Sequence, residues 1–138
     1  LGEAGVVAIF CGRLLRGEPP IVFGTGEQTR DYLYVEDVVG AMLAAEQRLR
    51  ERDPGFLGTF NVGTGRETAV LELAKLLAEI GRMPAVDPVM KPPRPGEVER
   101  IALDSTRARE RLSWEPRIDL RRGLERTYAA LASQGGGA

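Results

Sequence analysis

Between Thr68 and Gly81 the chain spells an uninterrupted amphipathic helix in which Val70, Leu71, Leu73, Ala74, Leu76, Leu77 and Ile80 share one face. So wide an apolar stripe has to be buried against something, and little else in the chain is large enough to cover it. Residues 4–16 place Val7, Phe10, Cys11, Leu14 and Leu15 at the same spacing before Gly17 and Pro19-Pro20 stop the helix. A third helix is expected from Val35 to Arg50, burying Val38, Val39, Met42 and Leu43. Strands are expected only at Ile21–Phe23, Asp31–Val35, Thr59–Val62 and Ile101–Leu103, with loops at Glu51–Gly58 and through the proline-rich stretch Pro84–Pro95. Thr68 is expected to cap its helix, Asp104 or Ser105 a short helix to Leu112, and Asp119 a last helix carrying Leu120, Leu124, Tyr128 and Leu131. Trp114 reads as an anchor between those last two helices, and Ser133–Ala138 as a frayed tail. Alternating elements argue α/β. Strands this few and short leave helical faces uncovered, so the expected fold is an incomplete lobe of a larger two-lobe structure with a small mixed sheet.

Several functions are set aside by composition. At 138 residues the chain is one domain or less, and starting at Leu1 it reads as an internal or C-terminal piece. No apolar run is long enough to suggest a membrane span, and a net charge of −1 gives no footprint for nucleic acid. The absence of histidine removes a histidine base and the usual zinc sets, and the single Cys11 rules out an internal disulfide and suits a buried position. Lys75 and Lys91 are the only lysines among nineteen basic residues, so an anion site here would be built from arginine. Gly24-x-Gly26 and Gly63-x-Gly65 each lack the third glycine of a dinucleotide fingerprint and read as ordinary turns.

Chemistry concentrates in Ile21–Val39, where a strand, a glycine turn and a second strand set Arg30 beside Phe23. A cation next to an aromatic face suits a planar, anionic ligand such as a nucleotide. By strand alternation Tyr32 shares the face of Arg30. A second group is Pro93-Arg94-Pro95-Gly96-Glu97, in which prolines stiffen the loop and Gly96 frees the turn, presenting Arg94 and Glu97 on one side. Competing structural roles are a core position for Phe23 or Tyr32, an ion pair from Arg30 to Asp31 or Glu36, and an ion pair between Arg94 and Glu97.

These motifs, with Val35-Glu36-Asp37-Val38, Asn61-Val62-Gly63-Thr64-Gly65 and Trp114-Glu115-Pro116, run in the order and spacing of a known family. The chain resembles, from Gly2 to about Leu131, the C-terminal substrate-binding part of the extended short-chain dehydrogenase/reductase family, the NAD-dependent nucleotide-sugar epimerases and dehydratases, and is most similar to its 4-epimerases. The resemblance implies a cytoplasmic enzyme, commonly a homodimer, that interconverts UDP-glucose and UDP-galactose or a related UDP-sugar by transient oxidation at C4. Its NAD would be held mainly by an N-terminal Rossmann domain, and residues 59–63 would return as a strand to that domain's sheet. Residues 1–132 would form the nucleotide-sugar lobe. Phe23 and the backbone of Val22 would take the uracil, Val70 the pocket's edge, Arg30 and Arg94 the diphosphate, Tyr32 the sugar side and Glu97 the ribose hydroxyls, where the family more often has the shorter aspartate. Arg100 ranks below Arg94 as a phosphate contact. The family's Tyr-x-x-x-Lys pair is absent, since Glu36, Val38 and Ala132 stand four residues after Tyr32, Tyr34 and Tyr128. The chain alone is therefore expected to be inactive. A 4,6-dehydratase or decarboxylase lobe and a non-catalytic nucleotide-binding module stay open as alternatives.

Overall fold

The computed structural model describes residues 5–51 and 58–135. In chain order these form helix α1 (Val6–Leu15), strands β1 (Ile21–Phe23) and β2 (Thr29–Arg30), helix α2 (Val35–Arg50), strand β3 (Thr68–Ala69), helix α3 (Val70–Ile80), strand β4 (Val89–Lys91) and helices α4 (Thr106–Leu112) and α5 (Leu120–Gly135). The expected α/β lobe is present, but its strands make two separate two-stranded sheets. β1 pairs in parallel with β4, Val22 opposite Met90, and β2 pairs antiparallel with β3, Arg30 opposite Thr68.

The amphipathic stripe does organise the core. Leu73, Ala74, Leu77 and Ala78 of α3 are buried against Phe10, Cys11 and Leu14 of α1, Val22 of β1 and Leu124 of α5. Ala78, outside the stripe read from the spacing, is buried with them. Cys11 is buried and its thiol is pushed up to about 11 by desolvation. A second cluster sits apart, with Trp114 packed on Ala41 of α2 and on Ala108 and Leu112 of α4. Trp114 thus bridges α2 and α4 rather than α4 and α5, and its indole N–H donates to the Asp37 carbonyl at 2.9 Å. The buried Asp37 carboxylate accepts in turn from the backbone N–H groups of Arg117 and Ile118, both at 3.0 Å. One acidic residue in the first turn of α2 therefore fixes the whole Trp114–Ile118 connection.

Other expectations are corrected. The second strand is Thr29–Arg30, not Asp31–Val35, because the Asp31 carboxylate takes up backbone N–H groups from two other segments and draws the chain out of a ladder. Thr68 lies in β3 and makes no cap, its backbone being committed to Arg30. Thr59–Val62 is irregular, with no strand beside it among the described residues, and its polar contacts go sideways: Asn61 Nδ2 donates to the Asp104 carbonyl at 3.3 Å. Ile101–Leu103 is likewise irregular, tied to Thr29 by the Ile101 N–H at 3.3 Å. Ser105 holds the N-cap position of α4 but makes no side-chain cap, its hydroxyl donating to the Gly63 carbonyl, and the Asp104 carboxylate before it accepts from the Thr106 N–H. Asp119 caps α5 at the Arg122 N–H as expected. That helix runs on to Gly135, so residues 133–135 of the expected tail are helical, and residues 136–138 lie outside the described residues. Most of the expected loop Glu51–Gly58, namely residues 52–57, lies outside the described residues.

Helix α2 has the expected bounds and a different buried face. Val39, Met42 and Leu43 are 47%, 66% and 60% exposed, whereas Asp37 and Ala41 are buried toward Trp114. Among the described residues nothing covers that apolar stripe, the shortfall that short strands and broad helices imply. No described helix is long and apolar enough to cross a membrane.

Because Leu77 is fully buried at the junction of α1, α3 and α5, Leu77→Ala should lower the unfolding free energy by roughly 2–5 kcal/mol. Denaturant titration of the two proteins checks this, and a loss below about 1 kcal/mol would contradict the core described here.

Candidate functional site

Three segments converge beside α1. The turn after β1 is fastened to the start of α3, where Leu71 N–H donates to the Gly26 carbonyl at 2.9 Å and Val70 N–H to the Gln28 carbonyl at 3.0 Å. The proline-rich segment is fastened on the other side, with Gly24 N–H donating to Lys91 at 2.9 Å and Thr29 N–H to Glu99 at 2.8 Å. Proline stiffness and these bonds set the Arg94–Glu97 loop over the end of β1. Between them and α1 lies a cavity of about 700 Å3, within the range of small-molecule sites.

Phe23, Arg30, Tyr32, Val70, Arg94 and Glu97 all line this cavity, from four separate stretches of sequence. Val22 does not. Alternation along β1 turns Ile21 and Phe23 to the cavity and Val22, 1% exposed, into the core against α3.

Arg30 is held by its own backbone surroundings rather than by Asp31 or Glu36. Its Nη1 donates to the carbonyls of Thr29 and Val98, both at 2.7 Å, which leaves Nη2 toward Glu97 Oε1 at 3.8 Å. Glu36 pairs instead with Arg126 at 2.6 Å. Arg94 lies over the Phe23 ring, 3.9 Å from its centroid, instead of pairing with Glu97. The Tyr32 hydroxyl is buried with no hydrogen-bond partner. Burial raises its pKa, against the lowering influence of Arg30.

The carboxylate of Asp31 locks this framework from behind. It accepts from the Thr64 hydroxyl and from the backbone N–H groups of Thr64 (3.0 Å), Gly65 (2.9 Å) and Leu103 (3.1 Å). Burial pushes its pKa up, but these hydrogen bonds outweigh burial and leave it below the ordinary Asp value of 3.8.

Gln28 is the wall residue that sequence reasoning missed. Its Nε2 donates to the Phe23 carbonyl at 3.0 Å and to Glu97 Oε1 at 3.4 Å. The alternation that linked Arg30 to Tyr32 also reaches Gln28 and would have found it. Arg13 in the last turn of α1 and Arg16 at its C-cap line the cavity as well, where the sequence pattern shows only the helix's apolar face. A second cavity, about 680 Å3, shares Phe23, Gln28, Arg94 and Glu97 and adds Lys91 and Arg100. Arg100 is outside the first cavity and is engaged by the Glu67 carboxylate at 2.9 Å.

An aromatic face, an apolar edge, cations and a carboxylate around one opening can stack a base, neutralise phosphates and accept hydroxyls. A Cβ at Gly26 (φ 76°) would stand 2.8 Å from Leu71 Cβ and Val22 Cγ1, and one at Gly63 would stand 2.7 Å from Asp31 Oδ2, so both positions need glycine for close packing against the protein's own side chains. No group of three metal-ligating side chains occurs among the described residues.

The family model described as GDP-mannose 4,6 dehydratase matches residues 5–127. A UDP-glucose 4-epimerase of Mycolicibacterium smegmatis is 47% identical over 128 residues, covering 91% of this chain and 38% of that protein. The crystal structure of the Thermotoga maritima UDP-glucose 4-epimerase with UDP-glucose superposes with a TM-score of 0.85 at 48% identity, over 96% of this chain and 41% of that one. The Thermus thermophilus UDP-glucose 4-epimerase complex with NAD gives 0.72 at 32% identity, over 94% and 40%. The chain thus spans about two fifths of the length of the proteins it resembles.

Since the folded-state pKa of Asp31 is depressed, its stabilisation is complete above the unfolded value of 3.8 and disappears as pH falls through the lower folded value. Unfolding free energies measured across the acid range should therefore decline below about pH 4. Asp31→Asn should be less stable at neutral pH and show a shallower acid decline, and an unchanged pH profile would contradict the assignment.

Proposed function

We propose that this chain, which belongs to the NAD-dependent epimerase/dehydratase family of extended short-chain dehydrogenases/reductases, supplies the nucleotide-sugar pocket of a UDP-sugar 4-epimerase. The observation that carries this reading is the convergence of Phe23, Arg30, Tyr32, Val70, Arg94 and Glu97 on one cavity of suitable size. The similarity to UDP-glucose 4-epimerases at 47% and 48% identity supports UDP-glucose and UDP-galactose as the sugars.

In this reading uracil takes the face of Phe23 with Val70 at its edge, and the planar guanidinium of Arg94 now holds the place of the base. Arg94 then leaves the ring for the diphosphate, joining Arg30, whose Nη2 is presented to the cavity because Nη1 is committed to two carbonyls. Glu97 accepts from the ribose hydroxyls, and the Tyr32 hydroxyl gains its missing partner from the sugar side. NAD, which would oxidise C4 reversibly, is assigned to a Rossmann domain beyond this chain, in keeping with the similarity to a UDP-glucose 4-epimerase complexed with NAD. Residues 59–63 are assigned to that domain's sheet, which would give the irregular Thr59–Val62 a strand to pair with.

Calorimetric titration with UDP, GDP and TDP tests the pocket and its base preference. GDP binding in preference to UDP would favour a dehydratase lobe of the kind the matching family model describes. Saturable UDP binding is expected, and Arg30→Ala should weaken it by an order of magnitude or more, since a charge-assisted hydrogen bond contributes roughly 1.5–3 kcal/mol. Unchanged affinity in Arg30→Ala would refute the role of Arg30.

A further inference from the structure

We propose that Gln28 is a positioning residue that keeps the Glu97 carboxylate from closing onto Arg30, so that the arginine stays available to the ligand's phosphates. The inference rests on reading this cavity as a nucleoside diphosphate site. Its basis is a competition for one atom. Glu97 Oε1 accepts from Gln28 Nε2 at 3.4 Å and stands 3.8 Å from Arg30 Nη2, too far for a hydrogen bond and close enough for strong attraction. Both side chains are partly buried, 27% exposed for Arg30 and 29% for Glu97, so solvent screens them only in part.

Nothing in Arg30 itself prevents closure. Its Nη1 is fixed by Thr29 and Val98, but Nη2 is oriented toward Glu97. What restrains the carboxylate is an amide anchored at its other hydrogen, because Gln28 Nε2 also donates to the Phe23 carbonyl at 3.0 Å. That bond ties Gln28 to the end of β1, a fixed strand, and the amide reaches from there to the loop. A planar NH2 with both hydrogens committed holds the carboxylate at a set distance without adding charge. Removing the amide would let Glu97 close the existing 3.8 Å ion pair to a direct hydrogen bond on Nη2. The cavity would then meet a diphosphate with one cation already neutralised, and the ligand would have to break that pair before binding.

Such a role has a signature that general damage to the pocket lacks. Diphosphate affinity should suffer while nucleoside affinity is spared, and removing the charge on Glu97 should undo the defect. The experiment compares UDP with uridine on the wild-type chain, Gln28→Met, and the double variant Gln28→Met with Glu97→Gln. UDP binding is read by calorimetry and the weaker uridine binding by NMR titration. In Gln28→Met the preference for UDP over uridine should fall by about tenfold, the equivalent of one charge-assisted hydrogen bond, and the double variant should recover most of it. Gln28→Asn keeps the amide but withdraws it by one methylene, and it carries the same expectation should the methionine variant not fold. Equal losses for UDP and uridine, or a lost preference that Glu97→Gln does not restore, would overturn the inference and leave Gln28 a structural support for Phe23. Unchanged binding in both Gln28 variants would also overturn it. A wild-type chain that binds no UDP would overturn the pocket reading itself, and the inference with it.

Discussion

The carboxylate of Asp31 is the contact on which the rest of the arrangement depends. It collects three backbone N–H groups and one hydroxyl from the Thr64–Gly65 turn and from Leu103, segments that join no ladder among the described residues. Backbone donors that would otherwise be stranded are satisfied by a single side chain. Because Asp31 faces backward into this knot, alternation turns its neighbours Arg30 and Tyr32 forward into the cavity. The same knot brings residue 103 alongside β2, which delivers the Arg94–Glu97 loop to the end of β1. The buried Asp37 repeats the device at the start of α2, holding the Trp114–Ile118 connection through two N–H groups and its own carbonyl.

These polar knots do work that a larger sheet does in more regular α/β folds. The two sheets here contain strands of only two or three residues, and the helices carry more apolar surface than those strands can shield. One consequence is the exposed stripe of Val39, Met42 and Leu43 on α2. The other is a cavity walled by loops, whose shape is set by proline stiffness and hydrogen bonds to backbone rather than by close packing. A site of this kind can exchange partners at modest cost, as the stacking of Arg94 on Phe23 illustrates.

The helices were the most legible part of the chain. The 3.6-residue spacing located α1, α2 and α3 to within a residue or two, and Asp119 marked the start of α5. Spacing did not tell which face of α2 is buried, since both an apolar stripe and the Asp37–Ala41 face were available and the burial was decided by Trp114, far away in sequence. Strands were read less well. Alternation at Asp31–Val35 was genuine, but the Asp31 side chain outcompeted the ladder for backbone donors, and β4 was hidden in the proline-rich stretch because a parallel partner leaves no turn signal. In the cavity wall, Phe23, Arg30, Tyr32, Arg94 and Glu97 stand out in the sequence by charge or aromatic ring, whereas neutral Gln28 and the arginines Arg13 and Arg16, set within an apolar helical pattern, do not. Val22 lies beside the wall with its side chain in the core, so only its backbone is left for the role the resemblance implies.

A crystal structure of the chain with UDP-glucose decides whether a nucleoside diphosphate sugar binds between β1, β2 and the Arg94–Glu97 loop. Uracil should be stacked on Phe23 in place of the Arg94 guanidinium, with both arginines on the diphosphate and Glu97 on the ribose. Density for the nucleotide elsewhere, with Arg94 still resting on Phe23, would contradict it.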